Sequence, residues 1–271
     1  MTSINGIPAM GFGTSGRTGD EDMRAILAAL EIGYRHLDTA QTYGSEAPCG
    51  EALRRSGLKP AEVFVTTKIT GENCHGGKLI DSLRRSNDTL GLERVDLTLI
   101  HWPVSPHGQL PMDIYLPELA KAQELGLTRL IGVSNFTIAD TRRAIEILGP
   151  NRIATNQFER HPLLRNQALV DFSLANNIVI TCYLPLARGR CAGVPVIEEI
   201  AAAHHATPHQ IALAMSLNEG LIVIPTSSNR DRIQQNFDAR AIQLSAAELE
   251  QLKSANRNER QIDPSWSPAW D

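Results

Sequence analysis

DLTLIHW, residues 96–102, decides how the rest of the chain is read. Leu97, Leu99 and Ile100 follow one another without apolar–polar alternation, the pattern of a parallel strand covered on both faces, and the run stops at a histidine. A buried strand with a titratable side chain at its end sets chemistry at its C-terminal edge. VFVTTKI from Val63, carrying Lys68, precedes it, and RLIGVSN from Arg129, ending on Ser134 and Asn135, follows; the three starts, at 63, 96 and 129, are 33 residues apart.

Working outward, five more segments share this form: AMGFGT from Ala9, YRHLDT from Tyr34, ATNQFE from Ala154, IVITCYLP from Ile178 and LIVIPTS from Leu221. The eight starts are separated by 24 to 43 residues, enough for one strand and one crossover helix. Helical patterns fill the gaps. Met23, Ile26, Leu27 and Leu30 mark one face of a helix predicted from Asp20 to Gly33, with Asp20, Glu21 and Asp22 at its positive end and Gly33 as its stop. Another is predicted between Asp113 and Gly126, with Pro117 in its first turn. Thr207-Pro208 opens a third as N-cap and first residue, and Ser245 with Glu248 forms a capping box for a fourth. No GxGxxG fingerprint lies in a strand-to-helix turn, so the α/β class resolves to a closed (β/α)8 TIM barrel rather than a doubly wound sheet. Residues 1–271 are expected to form a single barrel domain, with a C-terminal tail from about residue 257.

Composition narrows the function classes. At 42% hydrophobic and 21% charged residues, the chain is not a disordered one. A net charge of −4 offers no broad attraction to phosphate backbones or anionic lipid, so neither nucleic acid nor a membrane is an expected partner. There is no run of ~18 apolar residues, and the opening MTSINGIPAMGFGT lacks the basic and apolar regions of a signal peptide, so a cytoplasmic location is expected. Cys49, Cys74, Cys182 and Cys191 form no CxxC pair and read as reduced thiols. No metal site is expected, because His101 is the only plausible rim ligand and no HxH occurs at the first strand.

In a barrel of this kind the strand C-termini carry the chemistry. They present Asp38, Lys68, His101, Ser134, Asn135, Gln157, Tyr183 and Thr226-Ser227 in turn, and Tyr43 lies five residues after Asp38 in the loop leaving the same rim. Singly, each has an ordinary use: a helix cap, a solvated strand end, a satisfied core histidine, a loop aromatic. Together they form a set. A phenol titrating near 10 is a weak acid, but an adjacent ammonium favours phenolate by roughly 1–3 pKa units. Asp38 would hold Lys68 charged, and His101 would give a second hydrogen bond to an oxygen gaining negative charge. That is what carbonyl reduction requires.

At this point the motifs DTAQTYG, VTTKI, LTLIHWP, IGVSNF, TNQFERHP, CYLPLARG and IPTSSNRDRIQQNF, in that order, resemble those of the aldo-keto reductase family over essentially the whole chain. The resemblance implies NADPH-dependent reduction of an aldehyde or ketone to an alcohol without metal or flavin. The substrate class implied is a small carbonyl compound, a dicarbonyl or keto sugar acid such as methylglyoxal or 2,5-diketo-D-gluconate, and the state implied is a monomer. It makes Asp38, Tyr43, Lys68 and His101 the catalytic set, with Tyr43 as proton donor. Ser134, Asn135 and Gln157 would hold the nicotinamide carboxamide, Tyr183 would stack on the ring, and backbone from Leu184 to Leu186 would meet the pyrophosphate. Ser227, Arg232 and Asn236 would take the 2′-phosphate and adenine, with Gly13, Thr14 and Asp38 also beside the cofactor. Ser15, Tyr43, His101, Trp102 and Trp266 would wall the substrate pocket, with Trp270 near them.

Three departures from the family pattern stand out. Thr226 occupies a position where many relatives have lysine, which implies a weaker preference for NADPH over NADH. Leu184 stands where serine is frequent, so a phosphate contact there must come from backbone. The N-terminal hairpin looks truncated, which should leave the bottom of the barrel less covered. His204, His205 and His209 are expected on the outer helical ring and His75 and His107 in loops, while Arg188 and Arg190 are candidates for closing over the phosphates. The competing reading is a cofactor-binding regulatory protein on the same fold.

Overall fold

The computed structural model describes residues 2–271. Eight parallel strands form one curled sheet in chain order: β1 (Phe12–Gly13), β2 (His36–Asp38), β3 (Phe64–Ile69), β4 (Val95–Ile100), β5 (Thr128–Ser134), β6 (Ile153–Glu159), β7 (Val179–Tyr183) and β8 (Ile222–Val223). The ends of the sheet meet. Gly11 N donates to Val223 O at 2.9 Å and Gly13 N to Pro225 O at 3.0 Å, so β1 closes against β8 and the fold is the expected (β/α)8 barrel. Closure this tight requires glycine at position 13, where a Cβ would lie 2.8 Å from the Ile224 carbonyl oxygen.

Helices α1 (Asp20–Ile32), α2 (Glu46–Ser56), α3 (Leu79–Leu90), α4 (Met112–Glu124), α5 (Ile138–Leu148), α6 (Gln167–Ala175), α7 (Pro195–Ala203), α8 (Pro208–Asn218), α9 (Arg230–Asp238) and α10 (Ala246–Leu252) make the outer ring. Local chemistry sets their limits. The α1 macrodipole meets three acidic residues in its first turn, and Gly33 at φ 123° ends it. Thr207 caps α8 and Ser245 caps α10 through side-chain acceptance of the Gln210 and Glu248 amides. Pro117, expected in the first turn of its helix, sits instead in the second turn of α4. The hydrogen bond it removes is the one to the carbonyl of Asp113, an exposed residue, so the freed oxygen faces solvent rather than core.

Ser3–Ile4 pairs antiparallel with Ile7–Pro8, so a short N-terminal hairpin is present and the floor of the barrel is not left open. Ile7 is wholly buried and packs with Phe64, Leu97, Leu99, Val179 and Ile222 inside the barrel. Burial of such a side chain contributes roughly 1.5–3 kcal/mol.

Register then decides which residues reach the site. Lys68 pairs with Leu99 and Leu99 with Gly132, while Ser134 pairs with Gln157 and Gln157 with Thr181. Side chains alternate along a strand, so Asp38, Lys68, His101, Ser134, Gln157 and Tyr183 all fall on the inward parity near the C-terminal rim. An irregularity in β6 between Ile153 and Asn156 adds one residue relative to β5, turning Ile153 to the outer core while keeping Gln157 opposite Ser134. No helix of the described residues is long and apolar enough to cross a membrane.

Candidate active site

Four expected residues meet at the inner end of a cleft at the strand C-termini. Lys68 is fully buried and does not reach the cleft wall; its Nζ pairs with Asp38 Oδ1 and donates to the Thr39 carbonyl at 2.9 Å. The ammonium lies 4.8 Å from the centre of the Tyr43 ring. Tyr43 Oη lies 3.5 Å from His101 Nε2, and His101 Nδ1 faces the Thr42 hydroxyl at 3.3 Å. With Thr42 donating to Nδ1, the single ring proton of a neutral imidazole sits on Nε2 and faces the phenol.

Electrostatics refine the expectation drawn from sequence. Burial pushes the Tyr43 phenol above its ordinary range, outweighing the opposite pull of Lys68, so the net displacement is upward rather than downward. Burial, reinforced by Lys68, pushes His101 down to about 3, so the imidazole is neutral at pH 7. Burial also opposes the charge on Lys68, but Asp38 and Tyr43 together hold its pKa above that of a free lysine. The group is thus a protonated phenol, a neutral imidazole and a buried ion pair behind them.

A second network adjoins it. Ser134 Oγ donates to the Gln157 carbonyl at 2.8 Å, Asn135 Nδ2 donates to the His101 carbonyl at 3.0 Å, and Tyr183 Oη donates to Asn135 Oδ1 at 2.8 Å. Gln157 Nε2 donates to Asp38 Oδ2 at 2.7 Å, tying this network to the ion pair. Asn135 is held at φ 62°, a left-handed conformation that asparagine tolerates better than most residues.

The cleft encloses about 710 Å³ and runs from Tyr43, His101 and Trp102 past Tyr183 to Ser227, Arg232 and Asn236. Gly13, Thr14, Ser15, Leu184 and Leu186 line it as expected. Trp266 does not; it packs edge-on behind Trp102 with ring centres 5.1 Å apart, and Trp270 stands 6.0 Å from Trp102 on the same side. The wall there is completed by Ile262, from a tail anchored by the buried Glu159, whose carboxylate accepts the backbone amides of Gln261 and Ile262 at 2.8 and 2.7 Å. Arg190 turns away and pairs with Glu259, whereas Arg188 faces the cleft from a loop in which Leu184, Ala187 and Arg188 all have φ near 50°. His209 was expected on the outer ring, yet it lines the cleft beside Gly189 from the first turn of α8, a position its TPHQ context does not disclose. Gln235 lines the cleft as well, and so does Thr207, which the sequence marked only as a helix cap.

Elsewhere the chemistry is quiet. A cavity of about 770 Å³ beside α6 is lined by Arg160, Arg165 and Glu219, the single carboxylate bridging the two guanidiniums. All four cysteines are free and buried, with burial pushing Cys49 up to about 12, and no group of three or more potential metal ligands exists among the described residues.

Residues 9–257 match the model of the Aldo/keto reductase family. The chain is 44% identical to "Methylglyoxal reductase DkgB" of Yersinia pestis over 98% of its own length and 99% of that protein. It is 39% identical to an aldo-keto reductase of Mycobacterium marinum, covering 96% and 92% of the two chains. A solved structure assigned as a 2,5-diketo-D-gluconic acid reductase B superposes with a TM-score of 0.93 at 34% identity, over 98% of this chain and 95% of that one. The aldo-keto reductase of Bombyx mori in complex with NADP superposes with a TM-score of 0.86 at 32% identity, over 96% and 92%.

Proposed function

The chain belongs to the aldo/keto reductase family, and we propose that it reduces a small aldehyde or ketone, of the dicarbonyl or keto-sugar-acid class, to the alcohol with NADPH as reductant and Tyr43 as proton donor. The observation that carries this reading is the placement of a protonated phenol, a neutral imidazole 3.5 Å from it and a buried Lys68–Asp38 pair at the closed end of one cleft.

The donor set fits a nicotinamide dinucleotide phosphate. Ser134, Asn135 and Gln157 bring amide and hydroxyl groups to the inner end for the carboxamide, and Tyr183 lends a ring face beside them. Leu184, held at φ 47°, lines the middle of the cleft, and Ser227, Arg232 and Asn236 offer hydroxyl, guanidinium and amide at the outer end. Bound there, NADPH would supply a hydride to the carbonyl carbon. His101 Nε2–H stabilises the negative charge that grows on the carbonyl oxygen, and Tyr43 passes its proton to that oxygen. Lys68 stabilises the phenolate left behind until solvent returns the proton. Trp102, Ser15 and Ile262 line the same cleft as Tyr43 and His101, and a small carbonyl substrate such as the one named for the Yersinia relative is the class this reading favours.

The test is a panel of methylglyoxal, 2,5-diketo-D-gluconate and simple aldehydes, read by NADPH and NADH consumption. Turnover of dicarbonyls with NADPH is expected. Intact NADPH binding with no consumption on any carbonyl would favour the regulatory reading.

A further inference from the structure

Behind the outer end of the cleft, in contact with the lining residue Thr226 rather than in the lining itself, stands a cation from a loop other than the one bearing Arg232. Arg17 lies between β1 and α1, and Thr226 follows β8; the two are 209 residues apart and meet because β1 and β8 are the strands that close the barrel. Arg17 Nε donates to Thr226 Oγ1 at 3.3 Å, while Nη1 pairs with Asp22 Oδ1 at 3.0 Å. Asp22 is itself fixed, its other oxygen accepting the backbone amides of Thr18 and Gly19 at 3.1 and 3.2 Å. The guanidinium is therefore held at two points, Nε and Nη1, its side chain only 14% exposed, and Nη2 has no partner among the described residues. Thr226 itself lines the cleft, next to Ser227 and on the side where Arg232 stands.

The surrounding charges leave room for an anion. Asp22 is committed to Arg17, and Glu31 to Arg230 at 2.7 Å, while the Arg232 side chain has no carboxylate partner among the described residues. A phosphomonoester carries about −1.5 to −2 charges at neutral pH, so a single guanidinium leaves it under-neutralised. We propose that Arg17 is a second cation for the 2′-phosphate of NADP(H), aimed by Thr226 and Asp22 and acting with Arg232 across the β1–β8 seam. This rests on the cofactor reading above and assigns a specificity-determining residue to it. A barrel rim near its last strands is a common location for phosphate, and a planar, pre-oriented guanidinium suits it better than a flexible ammonium.

The experiment titrates the unmodified protein, Arg17→Gln and Arg232→Gln with 2′,5′-ADP and with 5′-AMP, two probes that differ only in the 2′-phosphate, at low and high salt. The unmodified protein should bind 2′,5′-ADP more tightly than 5′-AMP. Arg17→Gln should weaken 2′,5′-ADP about tenfold, as expected for loss of one charge-assisted hydrogen bond, leave 5′-AMP within twofold, and reduce the salt dependence of 2′,5′-ADP binding. Unchanged discrimination in Arg17→Gln, or equal weakening of both probes, overturns the assignment of Arg17. No discrimination by the unmodified protein overturns the NADPH reading itself, a separate outcome. If Arg17→Gln does not fold, Thr226→Val, which removes only the hydroxyl that orients the guanidinium, is read in the same way with an expected loss of about threefold for 2′,5′-ADP alone.

Discussion

Gln157 donates its side-chain amide to Asp38 at 2.7 Å across the mouth of the barrel, 119 residues away in sequence. Asp38 thereby has one carboxylate oxygen on Lys68 and the other on Gln157, and all three side chains are almost completely buried. A residue expected to serve only the cofactor also completes the shell of the ion pair. Rotation of Gln157 toward a bound carboxamide would alter what Asp38 accepts, which couples the two networks through one hydrogen bond.

Lys68→Met should remove the counter-charge from that shell. The buried Asp38 carboxylate is then uncompensated, and breaking a buried pair in this way costs about 3–5 kcal/mol. Urea unfolding should show a lower midpoint, and turnover should fall as well because the Tyr43 phenolate loses its cation. An unchanged midpoint would mean that Asp38 takes up a proton without penalty.

Tyr43→Phe keeps the ring against Lys68 and deletes the transferable proton. Turnover should fall by ~10²–10⁴ while the NADPH dissociation constant stays within a few-fold of its original value. Turnover within threefold of the unmodified enzyme would remove Tyr43 from the role of acid.

Two histidines make stability depend on pH. Burial holds His36 below the ordinary imidazole range and His101 down to about 3, whereas both titrate near 6.5 once unfolded. Below about 6.5 the unfolded chain binds protons that the folded chain does not, so stability is full above that pH and is lost as pH falls toward 3, by up to ~1.4 kcal/mol per unit per histidine. Denaturant midpoints at pH 7.5 and 5.5, a window above the ordinary carboxylate range, should differ in that direction, and His36→Gln should shrink the difference. The catalytic rate should behave differently, since Tyr43 is displaced upward and His101 is already neutral: reduction should stay level from pH 6 to about 9. An inflection near 6.5 in kcat/KM would contradict the neutral imidazole.

Glu159→Ala should release the tail at Gln261 and Ile262. Limited proteolysis beyond residue 257 should accelerate, and KM for the carbonyl should rise while NADPH binding holds, because Ile262 borders the cleft and the Arg232 end does not depend on the tail. Equal proteolysis rates would show that the aromatic packing of Trp102, Trp266 and Trp270 suffices to hold it.

Apolar strand runs and their regular spacing were enough to read the barrel, because a parallel strand covered on both faces and a crossover helix of fixed reach each leave a local mark in the sequence. Asp38, Lys68 and His101 were legible because each is the polar residue at the end of an apolar strand, and strand ends in a barrel share one rim. Trp266, His209 and Arg17 were not: Trp266 and Arg17 are positioned by a tail and a loop crossing to a distant element, and His209 by a helix start that the loop at Gly189 meets, and no local pattern encodes where such elements meet. The direction of the Tyr43 displacement was also misjudged, because the degree of burial that outweighs Lys68 is set by tertiary packing.

The shared inward parity has a consequence for how such a chain can change length. Insertion of one residue within β4 would present Ile100 in place of His101 to the cleft and turn the histidine into the helical ring, whereas a residue added in the arcs between strands leaves every inward position untouched. The spacing of 24 to 43 residues between strand starts shows those arcs already differing freely within one molecule. Length variation is thus best tolerated in the connections, except between Asp38 and Tyr43, while a frame-preserving strand is what Asp38, Lys68 and His101 inherit their positions from.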